Sequence, residues 1–469
     1  MNFVNRVNEL TTIALDLDAP RPSLFVLYGR RRTGKTALLR KAVESRRAVF
    51  FTADLGSRRD HLASFSMAIG DALGGEGLEG AEFPSWEQAL RFCARRAQEK
   101  PLAVILDEFQ YLAGADPALL SVLQRLWDSE LQNSRLALVL CGSYVSFMER
   151  QVLGAANPLY GRRTEQLLLA PLRFRDAALF FPDWTPDAAM TAAAVLGGIP
   201  AYLQQFDPGQ DIASNICRTI LRQGSPLYDE PRFLMMEELR EPQVYFSICR
   251  AIAQGQGRSN EIAQAAGLRD RGTISPYLSA LQDMKLVERR LPVTVRNPER
   301  SRQGLYRLVD PFFRFWFRFV HPNRAALDAG DAELVWTRKV EPHLAQHVSF
   351  AFEDACREHL QDLNRQRQLP ATYDRFGAWW RGPHEVDLVG IEDDGEILLA
   401  ECKWSTKPVG TDILASLAEK AQRVLSDADL TAPRVRFALF SRSGFTPALL
   451  RRAGAESVLT YSVGDVLHA

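Results

Sequence analysis

The sequence predicts a multidomain α/β protein, and three observations carry that prediction. Apolar runs recur through the first third of the 469 residues, at Leu24–Tyr28, Ala48–Thr52, Leu102–Leu106, Leu136–Leu140 and Gln166–Leu169, with helical patterns between them. Strands apolar on both faces need cover on both faces, which a parallel sheet flanked by helices supplies. Second, Gly29-Arg30-Arg31-Arg32-Thr33-Gly34-Lys35-Thr36 fits GxxxxGK[ST] between the first of these strands and the helical pattern Ala37–Val43, the context a phosphate loop requires. Third, the strand pattern stops after Pro171 and returns at Glu385–Ile391, Ile397–Lys403 and Val435–Ser441, a second α/β module. At roughly 150 residues per domain the length suits about three domains. The boundaries are read as a core at 1–170, a helical lid at 171–235, a winged helix at 236–325 and a C-terminal module at 326–469.

Composition narrows the class. Hydrophobic residues make up 46% and charged residues 24%, averages that exclude disorder, collagen-like repeats and coiled-coil rods. Lys plus Arg and Asp plus Glu both number 57, so any attraction to a polyanion must be local. Cys93, Cys141, Cys217, Cys249, Cys356 and Cys402 are scattered without a CxxC pair. That pattern disfavours a zinc site and suits the reduced thiols of a cytosolic protein. Met1–Arg6 shows no basic segment followed by an apolar one, and no run approaches the ~20 apolar residues of a membrane span. The expectation is a cytoplasmic protein with no membrane partner.

In the phosphate loop the glycines Gly29 and Gly34, with Thr33 between them, let backbone N–H groups wrap phosphates at a helix N-terminus. Lys35 reaches the β and γ phosphates of ATP, and the Thr36 hydroxyl ligates Mg²⁺. The strand Leu102–Leu106 runs into Asp107-Glu108. Asp107 would hold the metal through water, and Glu108 would polarise an attacking water, which argues for hydrolysis beyond binding. Leu136–Leu140 leads into Cys141-Gly142-Ser143, where Ser143 could sense the γ phosphate. On the loop Asn157–Arg163, either Arg162 or Arg163 could act as an arginine finger, beside the plainer reading of a solvated basic loop.

These residues carry a resemblance. Phe3-Val4-Asn5-Arg6-Val7-Asn8-Glu9-Leu10, the phosphate loop, Leu106–Gln110, Cys141–Ser143, Pro158–Arg162 and Gly197-Gly198-Ile199-Pro200 are similar to the archaeal-type ATPases of the STAND branch, P-loop ASCE-type relatives of AAA+ proteins. The resemblance implies that Phe3 to Arg6 cradle adenine, that Ser143 is the sensor, and that the Gly-Gly-Ile-Pro turn couples the lid to nucleotide state. It covers about half the chain. Asn5 stands where the family has Gly.

Ser259–Ala266, the turn Gly267-Leu268 and Thr273–Met284, with Ile274, Leu278, Leu281 and Met284 at helical spacing, have the period of a helix-turn-helix. Ser259 is the expected cap, and Lys285–Arg290 begins a wing. From Arg269 to Arg324 basic residues exceed acids by seven, a local field suited to DNA phosphates, with Thr273, Ser275, Tyr277 and Ser279 available to a groove. The aromatic run from Phe312 to Phe319 reads as a buried helix sooner than a base-stacking platform.

In the last module a hairpin turning at Asp393-Asp394-Gly395 would bring Asp387 beside Glu401. Two carboxylates there could hold Mg²⁺ or Mn²⁺, and Lys403, on the same face as Glu401 by strand alternation, could stabilise charge during in-line attack. With Glu353 on a preceding helix, Phe350–Leu360, the spacing resembles the PD-(D/E)XK nucleases, a restriction-endonuclease-like fold. The Pro that names their motif is absent before Asp387. The whole reads as an ATP-hydrolysing switch that binds DNA and cuts it with a metal-dependent C-terminal domain, in mobile-element or defence biology. The alternative is a STAND-type scaffold or DNA-binding regulator, a homo-oligomer or partner-protein platform, whose nuclease-like domain only binds.

Overall fold

The computed structural model describes residues 3–74, 82–155, 157–239, 241–268, 274–301, 303–392, 395–428 and 434–468. The chain divides into two compact units, Met1–Pro171 and Leu172–Ala469.

In the first unit β1 (Ser23–Tyr28), β2 (Ala48–Thr52), β3 (Leu102–Asp107), β4 (Leu136–Gly142) and β5 (Glu165–Leu168) form one sheet in the order β2-β3-β4-β1-β5. Every pairing is parallel. Ala137 of β4 stands opposite both Ser23 and Ala103, so the loop strand β1 and the Asp107 strand β3 are one strand apart. Alternation along β1 sorts its side chains between two cores. Phe25 and Leu27 pack with Ile13, Leu38 and Leu39 from the helices Val7–Leu17 and Lys35–Val43. Leu24 and Val26 join the core of Phe65, Leu90 and Leu123, from the helices Arg58–Leu73, Trp86–Glu99 and Leu119–Ser129. The sheet is therefore covered on both faces, as its unbroken apolar runs require. Each fully buried side chain of this size contributes roughly 1.5–3 kcal/mol.

The second unit begins with helices that share one apolar core from Leu172 to Val340. A Cβ at Gly198 would stand 1.9 Å from the Leu172 carbonyl oxygen, and the Leu172 N–H donates to the Gly198 carbonyl at 2.7 Å. Only glycine permits that approach. Phe312, Phe313, Phe315, Trp316, Phe317 and Phe319 are at most 3% exposed, so this run is packing surface.

Three helices, Pro242–Ala253, Ser259–Ala265 and Ile274–Asp283, precede an antiparallel pair, β6 (Val287–Arg290) and β7 (Leu305–Leu308), with Val287 opposite Leu308. Ile248, Ile262, Ile274, Leu278 and Leu281 enter the shared core, which accounts for the helical spacing in the sequence. Ser259 is not the cap: Arg258 holds that position and its N–H donates to the Glu261 carboxylate at 3.1 Å. Among the residues expected to face a groove, Ser275 and Ser279 are exposed. The Tyr277 hydroxyl instead donates to the Glu241 carboxylate at 2.8 Å. Thr273, Arg269, Asp270, Arg271 and Arg302 lie outside the described residues.

A second sheet has the order β12-β11-β10-β9-β8, from β8 (Arg375–Arg381), β9 (His384–Ile391), β10 (Glu396–Lys403), β11 (Arg434–Ser441) and β12 (Leu459–Ser462). β9 pairs antiparallel with β8 and β10, while β11 pairs parallel with β10 and β12. The helix Glu341–Arg365 packs on the face carrying Leu398, Ala400 and Cys402. The helices Thr411–Ala428 and Pro447–Glu456 cover the face of Ile397 and Leu399. Among the described residues no helix is long and apolar enough to cross a membrane.

Candidate functional site

The phosphate loop leaves β1 and enters the helix Lys35–Val43 through Gly34, whose φ of 94° is left-handed. A side chain there would cost about 1–2 kcal/mol. No side chain caps this helix, so its first N–H groups form an anion-binding end. Lys35 is 4% exposed, and its ammonium donates to the carbonyls of Gly29 at 2.8 Å and Arg30 at 2.9 Å. The Thr33 hydroxyl donates to the Arg30 carbonyl at 2.8 Å.

The carboxylates converge on this loop from β3. Asp107 is fully buried and accepts from the Thr36 hydroxyl at 2.7 Å and from the Glu108 N–H at 3.0 Å. Glu108 itself is held at φ 54°, ψ 43°, a left-handed conformation unusual for a side-chain-bearing residue and typical of functional positions. Its carboxylate accepts from the Ser143 hydroxyl at 2.9 Å and the Gln110 amide at 2.5 Å, while the Gln110 oxygen accepts from the Ser143 N–H at 3.2 Å. Gln110 thus clamps Glu108 and Ser143 together. The sequence shows it only as part of a motif, and nothing local signals the bond. Burial and the neighbouring Asp107 push the Cys141 thiol well above its ordinary value, so it stays protonated beside the acid.

Near the N-terminus Phe3 is 37% exposed, and buried Arg6 donates to the Ala170 carbonyl at 2.7 Å and pairs with Glu9 at 2.8 Å. Asn5 and Arg6 have φ of 53° and 71°. Asn tolerates the left-handed region better than most residues, so it can hold this turn without a Gly.

Arg162 is not brought to this cluster. It makes a two-pronged bond to Asp128 at 2.7 and 2.8 Å and donates to the Pro158 carbonyl at 2.8 Å. Two residues on, the Thr164 N–H donates to the Leu24 carbonyl at the start of β1. The Arg162 loop therefore lies at the amino edge of the parallel sheet, roughly 17 Å along a six-residue strand from the carboxyl edge that bears the phosphate loop. Arg163 donates to the Leu153 carbonyl at 2.9 Å.

In the second unit the structure brings Asp387, Glu401 and Lys403 together. β9 and β10 pair antiparallel up to Leu388 opposite Ala400, and one step further stand Asp387 and Glu401. The expected turn residues Asp393 and Asp394 lie outside the described residues. The Cys402 N–H donates to Asp387 at 2.8 Å, and the Lys403 ammonium lies 2.7 Å from Glu401 and 4.0 Å from Asp387. Burial and the charge of Glu401 push the Asp387 carboxyl up; burial and the charge of Asp387 do the same to Glu353. Glu401 is pushed up by burial too, but Lys403 and Lys420 hold its carboxyl below the usual range.

The expected quartet is drawn from elements on both faces of the sheet, with Asp387 acting on both Glu353 and Glu401 through its charge. Glu353 comes from the helix on the Leu398 face, whereas Glu401 alternates with Ile397 and Leu399 and is bonded by Lys420 from the helix on the other face. Among the described residues no three His, Cys, Asp or Glu side chains are grouped to hold a metal ion. Lys420 lies 19 positions after Glu401, and no spacing rule in the sequence points to it.

Comparison with known proteins agrees with the first unit's geometry. Residues 3–206 match an ATPase domain predominantly from Archaea, and residues 316–421 match a family described as Archaea bacterial proteins of unknown function. The Walker-type ATPase PABY2304 of Pyrococcus abyssi superposes with a TM-score of 0.52 at 22% identity, over 67% of this chain and 96% of that one, a likeness of fold. The ATP-binding protein MJ0423 of Methanocaldococcus jannaschii is 42% identical over 45 residues, 10% of this chain and 76% of that protein. The uncharacterized protein MJECL04 of the same organism is 33% identical over 404 residues, 86% of this chain and 87% of that protein. With a third of the aligned residues identical across most of both proteins, this chain belongs to the family of MJECL04 and carries at its N-terminus an ATPase domain of the predominantly archaeal type.

Proposed function

We propose that the chain is an ATP-hydrolysing switch whose second unit binds DNA and cuts it with a metal-dependent centre. The observation that carries the first half is the pair of contacts at the carboxyl edge of the sheet, Thr36 to Asp107 and Ser143 to Glu108. A hydroxyl and a carboxylate 2.7 Å apart are the hard oxygen donors that Mg²⁺ takes. Mg²⁺, held by Thr36 and Asp107, would supply neutralisation of phosphate charge. Lys35 exchanges its loop carbonyls for the β and γ phosphates, and the N-terminal amides after Gly34 hold the same anion. Glu108, released from Ser143, orients the attacking water and accepts its proton. Ser143, freed in the same event, reads the γ phosphate, and Phe3 and Arg6 border the adenine. Arg162 would serve the loop of a second copy in an oligomer, since its own loop lies at the opposite edge.

For the second half, the helices Ser259–Ala265 and Ile274–Asp283 with the β6–β7 hairpin are read as a winged helix, and the basic excess around it supports DNA as the partner. Asp387 and Glu401 would hold Mg²⁺ or Mn²⁺ in a PD-(D/E)XK-like domain, with Lys403 offsetting charge at the phosphorus. One observation favours a second reading: Glu401 is bonded by both Lys403 and Lys420. A carboxylate so neutralised suits a domain that holds DNA or a partner protein without cutting, in a STAND-type scaffold or regulator.

The test uses full-length protein with Mg²⁺ or Mn²⁺ and supercoiled or single-stranded DNA, with and without ATP. Lys35→Ala should lower ATP hydrolysis by about 100-fold or more, and Asp387→Ala should abolish cleavage. Undiminished hydrolysis in Lys35→Ala rejects the switch. Absence of cleavage with hydrolysis intact selects the second reading.

A further inference from the structure

A cavity of about 540 Å³ opens in the second unit between the β6–β7 hairpin and the turn joining β8 to β9. Its volume is in the range of small-ligand sites, about 300–1,000 Å³. Arg290, Arg307, Arg314 and Arg318 line it. Two of these are neutralised: Arg307 by Asp354 at 2.7 Å and by Glu288 at 2.5 Å, and Arg314 by the same Asp354 at 3.8 Å. The other two are not bonded to an acid. Among the described residues the Arg290 guanidinium makes no hydrogen bond or ion pair, with Asp354, Glu288 and Glu353 acting on it only through space, and the Arg318 guanidinium bonds the uncharged Gln346 amide oxygen at 2.6 Å and lies over the Phe319 ring. Burial, with the nearby Arg307, lowers the pKa of Arg290, and burial lowers that of Arg318. Holding two partly buried guanidinium groups with no acid bonded directly to either is unfavourable, and an arriving anion would offset them.

The rest of the wall mixes apolar and aromatic side chains with Gln256, His384 and Glu385. Tyr306, Phe350 and Trp380 face the same space, and aromatic rings are the surfaces on which nucleobases stack. Glu385, also on the wall, lies two residues before Asp387 on β9, so the cavity adjoins the carboxylate centre.

We propose that this cavity binds a nucleoside phosphate, with the phosphate on Arg290 and Arg318 and the base against the aromatic wall. The ligand is either a free nucleotide or the unpaired end of a DNA strand entering beside Asp387. Only the second source rests on the DNA reading above.

The experiment uses full-length protein without divalent ions, so that nothing is cut. Calorimetry reads binding of dTMP, which lacks the β and γ phosphates that Lys35 would hold. Fluorescence anisotropy reads a 5′-labelled ten-nucleotide oligothymidine. Arg290→Ala and Arg318→Ala should each weaken binding by about tenfold or more, and each should lower the salt slope for the oligonucleotide by about one. Arg451→Ala, an exposed arginine on the helix Pro447–Glu456, removes the same charge and should change neither. Circular dichroism checks folding, and Arg290→Gln substitutes if Arg290→Ala fails to fold. Binding of both probes assigns a free-nucleotide site; binding of the oligonucleotide alone assigns a strand end. Failure to bind either probe, or arginine variants that bind as wild type does, overturns the inference. Arginine-dependent binding without cleavage would leave the cavity standing while the nuclease reading fell.

Discussion

The two carboxylate clusters of this chain are built from similar parts and end in different electrostatic states. At the edge of the first sheet, the ammonium of Lys35 is turned to backbone carbonyls, and Asp107 and Glu108 accept from hydroxyls and an amide. At the edge of the second sheet, Glu401 is bonded by two ammonium groups, and the carboxyls of Asp387 and Glu353 are pushed upward by burial. Neutral donors can be exchanged for a cation and water at little electrostatic cost. A lysine must be displaced or moved. The first cluster therefore suits the metal-nucleotide role proposed for it, while the second is already partly neutralised by the protein's own charges.

The largest test of this contrast is Glu108→Gln. If Glu108 is the base, hydrolysis should fall by roughly 10²–10⁴-fold while nucleotide binding, measured by calorimetry, is retained. Equal loss of both would make Glu108 a structural residue and erase the difference between the clusters.

Next in size is Asp354→Ala. Asp354 anchors Arg307 and Arg357 at 2.7 and 2.9 Å and stands 3.8 Å from Arg314. Removing it leaves Arg314 and Arg357 without their acid and Arg307 with Glu288 alone, at an expected cost of about 3–5 kcal/mol in chemical denaturation. A loss below about 1 kcal/mol, the scale of a surface pair, would mean that the arginines find other partners.

A pH-dependent effect follows from Glu358, which burial pushes up to about 7 while the Phe174 N–H bonds it at 3.1 Å. Its folded value lies above its unfolded one. The stability it contributes is thus present below the unfolded value and lost as pH rises through about 7. Glu358→Gln should melt with wild type near about pH 4 and be the more stable by about 1–3 kcal/mol near about pH 8. A difference that stays flat across thermal melts in this window would show that Glu358 is well solvated.

The smallest expected effect concerns the left-handed turn at the N-terminus. Asn5→Ala should cost about 1–2 kcal/mol, and Asn5→Gly should be nearly neutral. Denaturant midpoints that rank these two the other way would remove the turn as the reason for Asn.

The legible parts of the molecule share a physical origin. The three inner strands of the first sheet, β1, β3 and β4, were readable because each is buried on both faces and so is almost wholly apolar, whereas the edge strands β2 and β5 are only partly buried. Lys35, Thr36 and Asp107 were readable because a phosphate loop and its acid sit at strand ends, where sequence neighbours are also spatial neighbours. β8 and β12 were not. The residues of β12 are all half-buried, and β8 is interrupted by a register shift at Gly377 and Trp379. Neither pattern stands out from a loop.

By itself the sequence determined the class of the core, the loop that would hold phosphates, and the strand alternation that sets Lys403 beside Glu401. Those follow from periods of two and 3.6 residues and from contiguous motifs, which are local properties of the chain. Only the tertiary structure decided that Gln110 clamps Glu108 to Ser143 and that Arg162 faces the far edge of its sheet. It also decided that Lys420 reaches Glu401 from the opposite face to the helix of Glu353, and that the Arg290 guanidinium lines a cavity without an acid bonded to it. Each of these depends on which elements pack together, and a contact made across a sheet or between helices leaves no mark in the order of residues.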